Sequence, residues 1–224
     1  MIFFDLDGTL IDHKKAEFLG VKGFFQEYRD FFNLDEDLFY EHWCNISDKH
    51  FLRFLNREIS FSQQRIERIK DVFALSNIKL SDEEAFRRFK IYREFYEDNL
   101  LPYDDVIPCL NSLKGERLGI ISNGDLNQQM FKLQRIGNGE YFETVITAGE
   151  AGIAKPHIDI FKITCKKANV PIEKCIYIGD DYKTDILSCR EAGMEGIWLN
   201  RNNEELEHLE VKMIYSLDRL ESFL

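Results

Sequence analysis

Four prolines in 224 residues, no C-x-x-C pair and no apolar run long enough for a bilayer leave several classes of protein without support. So little proline, beside 44% hydrophobic and 31% charged residues and no low-complexity stretch, excludes a disordered or fibrous chain. It describes a globular one with material for a hydrophobic core. The five cysteines, Cys44, Cys109, Cys165, Cys175 and Cys189, are scattered and odd in number, so neither a disulfide framework nor a zinc site is expected and they read as buried reduced thiols. The N-terminus has no basic region, and Asp5 and Asp7 interrupt its apolar run, so a signal peptide is not expected and a cytoplasmic location follows. Positive charge is also scarce. The net charge of −11 disfavours a nucleic acid polymer or an anionic membrane as partner. It leaves room for a small phosphorylated metabolite, because local cations or a metal decide such a contact. Neither G-x-G-x-x-G nor a Walker loop is present, which removes support for dinucleotide and P-loop chemistry.

What is present begins at the first residues. Ile2, Phe3 and Phe4 read as a strand buried on both faces, followed by Asp5-Leu6-Asp7 and the turn Gly8-Thr9. Acids at the carboxyl end of such a strand lie where open α/β sheets bind ligands. From about His13 to Asp98 turn signals become rare and apolar residues recur at helical spacing: Phe18, Val21, Phe25 and Tyr28; Leu38, His42 and Ile46; Phe51, Phe54 and Leu55; Ile66, Ile69 and Phe73. Three or four helices fit, with breaks near Asn33, Asn56–Ser60 and Asn77–Ser81, and with Ser60-x-x-Gln63 and Ser81-x-x-Glu84 as capping boxes. Thirteen of the 19 phenylalanines fall in this block, which fits an aromatic pocket or, more commonly, a helical core. Its 15 Lys and Arg nearly balance its 17 Asp and Glu, so the chain's acidity belongs to the rest.

Beyond Leu101-Pro102-Tyr103 short strands and helices alternate. Helices are expected at Val106–Leu113, Gln128–Ile136 (ended by Gly137-Asn138-Gly139), His157–Ala168 and Thr184–Ala192, with strands at Leu118–Ile121, Thr144–Thr147, Cys175–Ile178 and Gly196–Leu199. A possible edge strand Met213–Tyr215 and a short helix Leu217–Leu224 close the chain. The expected fold is α/β: a Rossmann-like parallel sheet with helices on both faces, from residues 1–12 and 99–224, and a small all-α domain, 13–98, inserted after the first strand and able to serve as a lid.

Three later strand ends carry polar clusters comparable to the first: Ser122-Asn123-Gly124, Lys155-Pro156, and Gly179-Asp180-Asp181 with Asp185. In a parallel sheet these ends converge. Acids gathered from two strand ends repel unless a cation separates them, and Mg2+ suits hard oxygen ligands beside a phosphate. A carboxylate nucleophile or ligand, a second carboxylate, a hydroxyl, a fixed ammonium and a metal fit phosphoryl transfer. Taken singly, Ser122 could equally cap a helix, Lys155 could be a surface lysine, and Asp180-Asp181 a solvated turn.

The order Asp5-x-Asp7-Gly-Thr9, Ser122-Asn-Gly, Lys155-Pro, Gly179-Asp180-Asp181-x-x-x-Asp185 resembles the haloacid dehalogenase superfamily of phosphatases, in its subgroup with a helical cap after the first strand. That resemblance spans essentially the whole chain. It implies that Asp5 becomes an aspartyl phosphate and that Asp7 protonates the leaving alkoxide and then activates water. It implies that Ser122 and the Asn123 amide bind the phosphoryl group beside Lys155. Mg2+ would be held by Asp5, the Asp7 backbone carbonyl and Asp180, with Asp185 in support. Asp181 stands where many relatives carry Ser or Thr. Asp7 favours phosphate ester cleavage over dehalogenation, since halide departs without a proton. The expected activity is a magnesium-dependent phosphatase of small monoesters, a sugar phosphate or nucleoside monophosphate, with a sugar phosphomutase or a silent binding module as alternatives. Candidates for contact with the leaving group in the helical block are His13, Lys14, Lys15, Tyr40, Trp43 and Arg65, with bundle packing as the competing account of the aromatic ones.

Overall fold

The computed structural model describes residues 1–136, 139–205 and 211–224. The chain forms two compact units, Met1–Asp12 with Leu101–Leu224, and His13–Leu100.

In the first unit, six strands make one parallel sheet: β1 (Ile2–Phe4), β2 (Leu118–Ser122), β3 (Phe142–Thr147), β4 (Ile176–Gly179), β5 (Glu195–Leu199) and β6 (Lys212–Ile214). Their order is β3-β2-β1-β4-β5-β6, so β1 is central and the direction of winding reverses between β1 and β4. Such a switch point opens a crevice at the carboxyl ends, which here are Asp5 and Asp180. Ile2, Phe3 and Phe4 are all buried, the pattern of a strand covered on both faces. Phe3, Ile121 and Tyr177 pack with Ile160, Phe161 and Cys165 of α8 (Asp159–Lys167) and with Cys189 of α9 (Ser188–Ala192). Cys165 and Cys175 bring their sulfurs to 3.5 Å inside this layer, and all five cysteines are thiols.

Most boundaries differ from expectation by a residue or two, and three differences have physical causes. The expected helix from Gln128 begins at Leu126, because Asp125 caps it by accepting from the Gln128 amide at 3.2 Å; the helix, α6, runs Leu126–Arg135. Gly137 and Asn138 of the expected terminating turn lie outside the described residues. The expected helix Thr184–Ala192 is a π-helical turn, Tyr182–Leu187, leading into α9. The Asp181 carbonyl accepts from both the Asp185 and Ile186 amides, which widens the turn. The final segment, Leu217–Phe223, is wound as a 3₁₀ helix opened by Ser216. Two further helices of this unit are α5 (Val106–Ser112) and the short α7 (Ala148–Ala151), the latter without a counterpart in the sequence reading.

That C-terminal segment is tied to the sheet by Asp105. Its carboxylate receives both terminal nitrogens of Arg201 at 2.8 and 2.9 Å, the Ser216 hydroxyl at 2.9 Å and the Leu217 amide at 2.8 Å. Arg201 also lies 4.0 Å over the Tyr103 ring and donates to the Thr9 carbonyl at 2.9 Å. Burial pushes the Asp105 carboxyl up, but the Arg201 hydrogen bonds, the Leu217 amide and the Arg201 charge outweigh it and hold it below the ordinary value. A carboxyl lowered on folding contributes stability that is complete above its unfolded pKa and is lost as pH falls through the folded one. Asp105→Asn is therefore expected to cost about 3 kcal/mol at neutral pH and to flatten the acid limb of stability. Urea denaturation of both proteins between pH 3 and 7 checks this.

The second unit is built from α1 (His13–Glu27), α2 (Glu36–Leu55), α3 (Phe61–Ala74) and α4 (Asp82–Asp98). Ser81 and Glu84 make a full capping box at α4. At α3, Ser60 caps the Gln63 amide, but the Gln63 side chain donates to Glu67 at 2.7 Å, so the box is half formed. The buried stripe of α2 is Phe39, Trp43, Ser47 and His50 rather than the expected Leu38, His42 and Ile46; Leu38 is exposed. Both rows repeat at helical spacing, and the aromatic row wins by burying more area. On α1, Phe24 is buried beside Val21 and Phe25, while Phe18 is exposed. Trp43 sits 4.4 Å from Tyr92 and 5.4 Å from Phe24, the centre of the aromatic core.

Candidate active site

The sheet order brings Asp5, Ser122, Lys155, Asp180 and Asp185 together at one edge of the first unit. Asp5 extends β1 by one residue, its amide donating to the Ile178 carbonyl at 2.8 Å. Its carboxylate is buried and accepts from the Lys155 ammonium at 2.6 Å. The same ammonium donates to Asp185 at 2.7 Å and to the Tyr177 hydroxyl at 2.8 Å, so its three protons are placed. Lys155 is fixed from behind, because its amide donates to Asn123 Oδ1 at 2.7 Å and its carbonyl accepts from Asn123 Nδ2 at 2.9 Å. Asn123 thereby locks the loop after β2 to the loop that carries Lys155. A surface lysine and a helix-capping Ser122 are both excluded: the lysine is 3% exposed, Ser122 is buried, and Asp125 supplies the cap.

Asp180 follows β4 and accepts from the Thr9 hydroxyl at 3.0 Å, while its carbonyl takes the Trp198 indole N–H at 2.9 Å. Gly8 has φ of +89°, and a Cβ there would lie 2.3 Å from Asp180 Oδ2. Only glycine lets the chain turn away from Asp5 while Asp180 occupies that space. Asp181 is exposed and caps the π-helical turn by accepting from the Thr184 amide at 2.6 Å. Its own amide donates to Asp185 Oδ2 at 3.1 Å. Asp181 thus shapes the turn that delivers Asp185 to Lys155.

The electrostatics are those of an acid cluster with too little positive charge. Asp5, Asp180 and Asp185 offer oxygens within 4.8 Å of one another. Burial pushes the Asp5 carboxyl well up, Lys155 pulls it back, and Asp185 and Asp180 add to the rise. Asp180 is pushed up to about 7, first by burial and then by the charge of Asp185. Burial would lower the Lys155 ammonium, but the charges of Asp185 and Asp5 more than offset it, so its proton is held more tightly than usual. Three carboxylates around one ammonium form a donor set that a divalent cation with hard oxygen preference would neutralise. The residues present therefore fit Mg2+.

The Asp7 carboxylate is not part of that trio. It faces α6, where Lys132 donates to Oδ1 at 2.5 Å and Gln129 donates to Oδ2 at 2.8 Å. The Gln129 amide nitrogen also reaches the Ser122 hydroxyl at 2.6 Å. Neither α6 residue belongs to the motifs legible in the chain, since both lie on the helix that follows the Ser122-Asn123-Gly124 segment rather than within it. The available signal was the pair of polar residues one turn apart beside the buried Leu133 and Ile136.

The helical unit disperses the remaining candidates. His13 Nδ1 meets the Tyr96 hydroxyl at 2.7 Å. Lys14 and Lys15 are both exposed. Tyr40 packs edge-on to Phe18 at 5.1 Å, and Arg65 lies over Phe61 and Phe89 at 4.4 and 5.2 Å. Trp43, 0% exposed, is a core residue of its own bundle and presents no surface to a solute.

This sheet order, with Asp5 at the switch point and Lys155 shared by two acids, is a doubly wound α/β core with its acids gathered at the carboxyl ends of the strands. Residues 1–193 match the haloacid dehalogenase-like hydrolases, and the chain belongs to that family. Over 134 residues it is 34% identical to glyceraldehyde 3-phosphate phosphatase of Methanothermobacter thermautotrophicus, covering 56% of this chain and 59% of that protein. The match thus spans little more than half of that relative. It is 26% identical to the pyrimidine 5'-nucleotidase YjjG of Escherichia coli, over 91% of this chain and 87% of that one. The magnesium-bound HAD-hydrolase YfnB of Bacillus subtilis has the same fold, with a TM-score of 0.85, 20% identity, and coverage of 100% and 97%. Among the described residues no helix is long and apolar enough to cross a membrane.

Proposed function

We propose that the protein is a magnesium-dependent phosphatase of small phosphate monoesters, a sugar phosphate or nucleoside monophosphate, working through an aspartyl phosphate. The observation that carries this reading is the Lys155 ammonium held between Asp5 and Asp185 beside Ser122. An ammonium so fixed neutralises both the attacking carboxylate and the oxygens of the phosphoryl group it attacks. The family, and the phosphatase and nucleotidase among its relatives, support the same reaction class.

In the first half-reaction an Asp5 oxygen forms a bond to phosphorus while the ester P–O bond breaks. Asp7 gives its proton to the departing alkoxide, which leaves as the alcohol. In the second, Asp7, now a carboxylate, takes a proton from water as the water oxygen bonds to phosphorus. The Asp5–phosphorus bond breaks, releasing inorganic phosphate and restoring both acids. Ser122 and the Asn123 amide hold the equatorial oxygens with Lys155. Asp5, the Asp7 backbone carbonyl and Asp180 would hold the metal, with Asp185 in support; when bound, it supplies charge neutralisation at the phosphoryl oxygens.

Phosphate release from a panel of sugar phosphates and nucleoside monophosphates, compared as kcat/KM, tests the reading. Activity is expected to vanish in chelator and to return on adding Mg2+. Turnover that persists in chelator would remove the metal from the proposal, and transfer of phosphorus to a second sugar hydroxyl would replace hydrolysis by a mutase.

A further inference from the structure

We infer that Gln129 and Lys132, one turn apart on α6, are positioning residues that hold Asp7 and aim the Ser122 hydroxyl, so that acid–base chemistry and phosphate binding share one support. The inference rests on the phosphatase reading above and adds two residues to it.

Asp7 lies beyond the last residue of β1, where its backbone is held by a bridge to Ile11 but its side chain projects from no named strand. The fixing comes from α6. Lys132 occupies one carboxylate oxygen at 2.5 Å and Gln129 the other at 2.8 Å, so the carboxylate is held at both ends rather than free to rotate toward solvent. The helix is started by Asp125, directly after the Ser122-Asn123-Gly124 segment, which ties its register to the end of β2. Gly124 makes the arrangement possible: a Cβ at that position would lie 2.4 Å from Gln129 Cδ. The glycine of the motif therefore clears the space that the Gln129 amide fills.

The same amide decides where Ser122 points. Ser122 Oγ accepts from Gln129 Nε2 at 2.6 Å and from the Gly124 amide at 3.3 Å. With both lone-pair directions taken, its single O–H proton remains to be donated, the direction a phosphoryl oxygen requires. Placing the Gln129 nitrogen, rather than its oxygen, between Asp7 and Ser122 follows from the same logic, since two acceptors face it.

Stability alone does not explain these residue types. Gln129 is fully buried and its Oε1 has no partner, and Lys132 is 3% exposed. A buried unsatisfied acceptor costs about 1–3 kcal/mol, and a buried ammonium must also be desolvated. Leucine and methionine would pack this helix face without either penalty.

A positioning role makes a prediction that a structural one does not. An alkyl phosphate releases a strongly basic alkoxide and depends on a well-placed acid, whereas a nitrophenyl phosphate releases a weak base that leaves unaided. We compare kcat/KM of the wild type, Lys132→Met and Gln129→Leu on glycerol phosphate and p-nitrophenyl phosphate with Mg2+ present. Each variant is expected to lose about tenfold or more beyond its loss on the aryl ester, with Lys132→Arg recovering part of the difference. A smaller gap, equal losses, or a larger loss on the aryl ester overturns the inference. If either variant fails to fold, as judged by thermal melting, Lys132→Gln and Gln129→Glu decide by the same tenfold criterion. Wild-type protein that hydrolyses neither ester removes the phosphatase reading itself; wild-type turnover of both with no selective loss removes only the positioning roles.

Discussion

Asp5→Asn is expected to lower phosphate release by at least about 10³-fold while leaving the protein folded. The two halves of that result have separate causes. Activity goes because an amide oxygen does not form the acyl phosphate that the first half-reaction requires. The fold stays because burial already disfavours the charged form of this carboxyl in the metal-free protein. Lys155 keeps Asp185 and Tyr177 as partners, and an Asn oxygen at the position of Oδ1 accepts the same proton that Asp5 accepts now. Side-by-side phosphate release and thermal melting check the pair of outcomes. Retained turnover in a folded variant would mean that another group attacks phosphorus.

Lys155→Met reverses that balance and is the substitution expected to damage the fold most. It leaves Asp5 and Asp185, both buried, without the one ammonium that joins them. Removing one partner of a buried ion pair costs about 3–5 kcal/mol, and here two acids lose the same partner. Phosphate release is expected to fall with it, since the phosphoryl oxygens lose the ammonium fixed beside Asp5. A divalent cation binding only the folded state offsets part of the loss by mass action. Urea midpoints of the variant with and without Mg2+ measure both effects: a deficit that shrinks with metal is expected. A variant as stable as the wild type in chelator would show that the acids are neutralised in some other way.

The two variants divide one site into its parts. Asp5 is where covalent chemistry would occur and is expected to contribute little to metal-free stability, whereas Lys155 joins the acids around it. The raised carboxyls of Asp5 and Asp180 and the tightened Lys155 ammonium are the same imbalance seen from either side. Asp185 connects them, because the π-helical turn that Asp181 caps delivers its carboxylate inward. Asp181 belongs to no role implied by the motif; the geometry makes it a cap.

Much of this was legible in the chain. The run Ile2-Phe3-Phe4 before Asp5 announces a doubly covered strand, since only a central parallel strand tolerates bulky apolar residues on both faces. The alternation after Tyr103 announces the parallel sheet, because short strands joined by helices have few other solutions. The clusters at Ser122 and Asp180 announce chemistry because each ends a strand, whereas Lys155, expected at a third strand end, lies beyond α7 on the loop that leads to α8. The helical block was readable as helices but not as surfaces. In α2 the Leu38, His42, Ile46 row and the Phe39, Trp43 row have the same period, and only the neighbouring helices choose between them. Trp43 was thereby offered as a contact for ligand when it is the centre of a core.

By itself, then, the sequence determined what local rules govern: strand and helix identity, the α4 capping box at Ser81 and Glu84, the acids at strand ends, and the glycine at position 8. Tertiary structure alone decided which side chains meet across long separations. Lys155 joins Asp5 from 150 residues away, and Lys132 joins Asp7 from 125. Pattern within a segment records the face that a residue occupies, but the partner waiting at that face depends on strand order. The order β2-β1-β4 brings Asp5 to Lys155 and places Gln129 and Lys132 beside the acid that follows it.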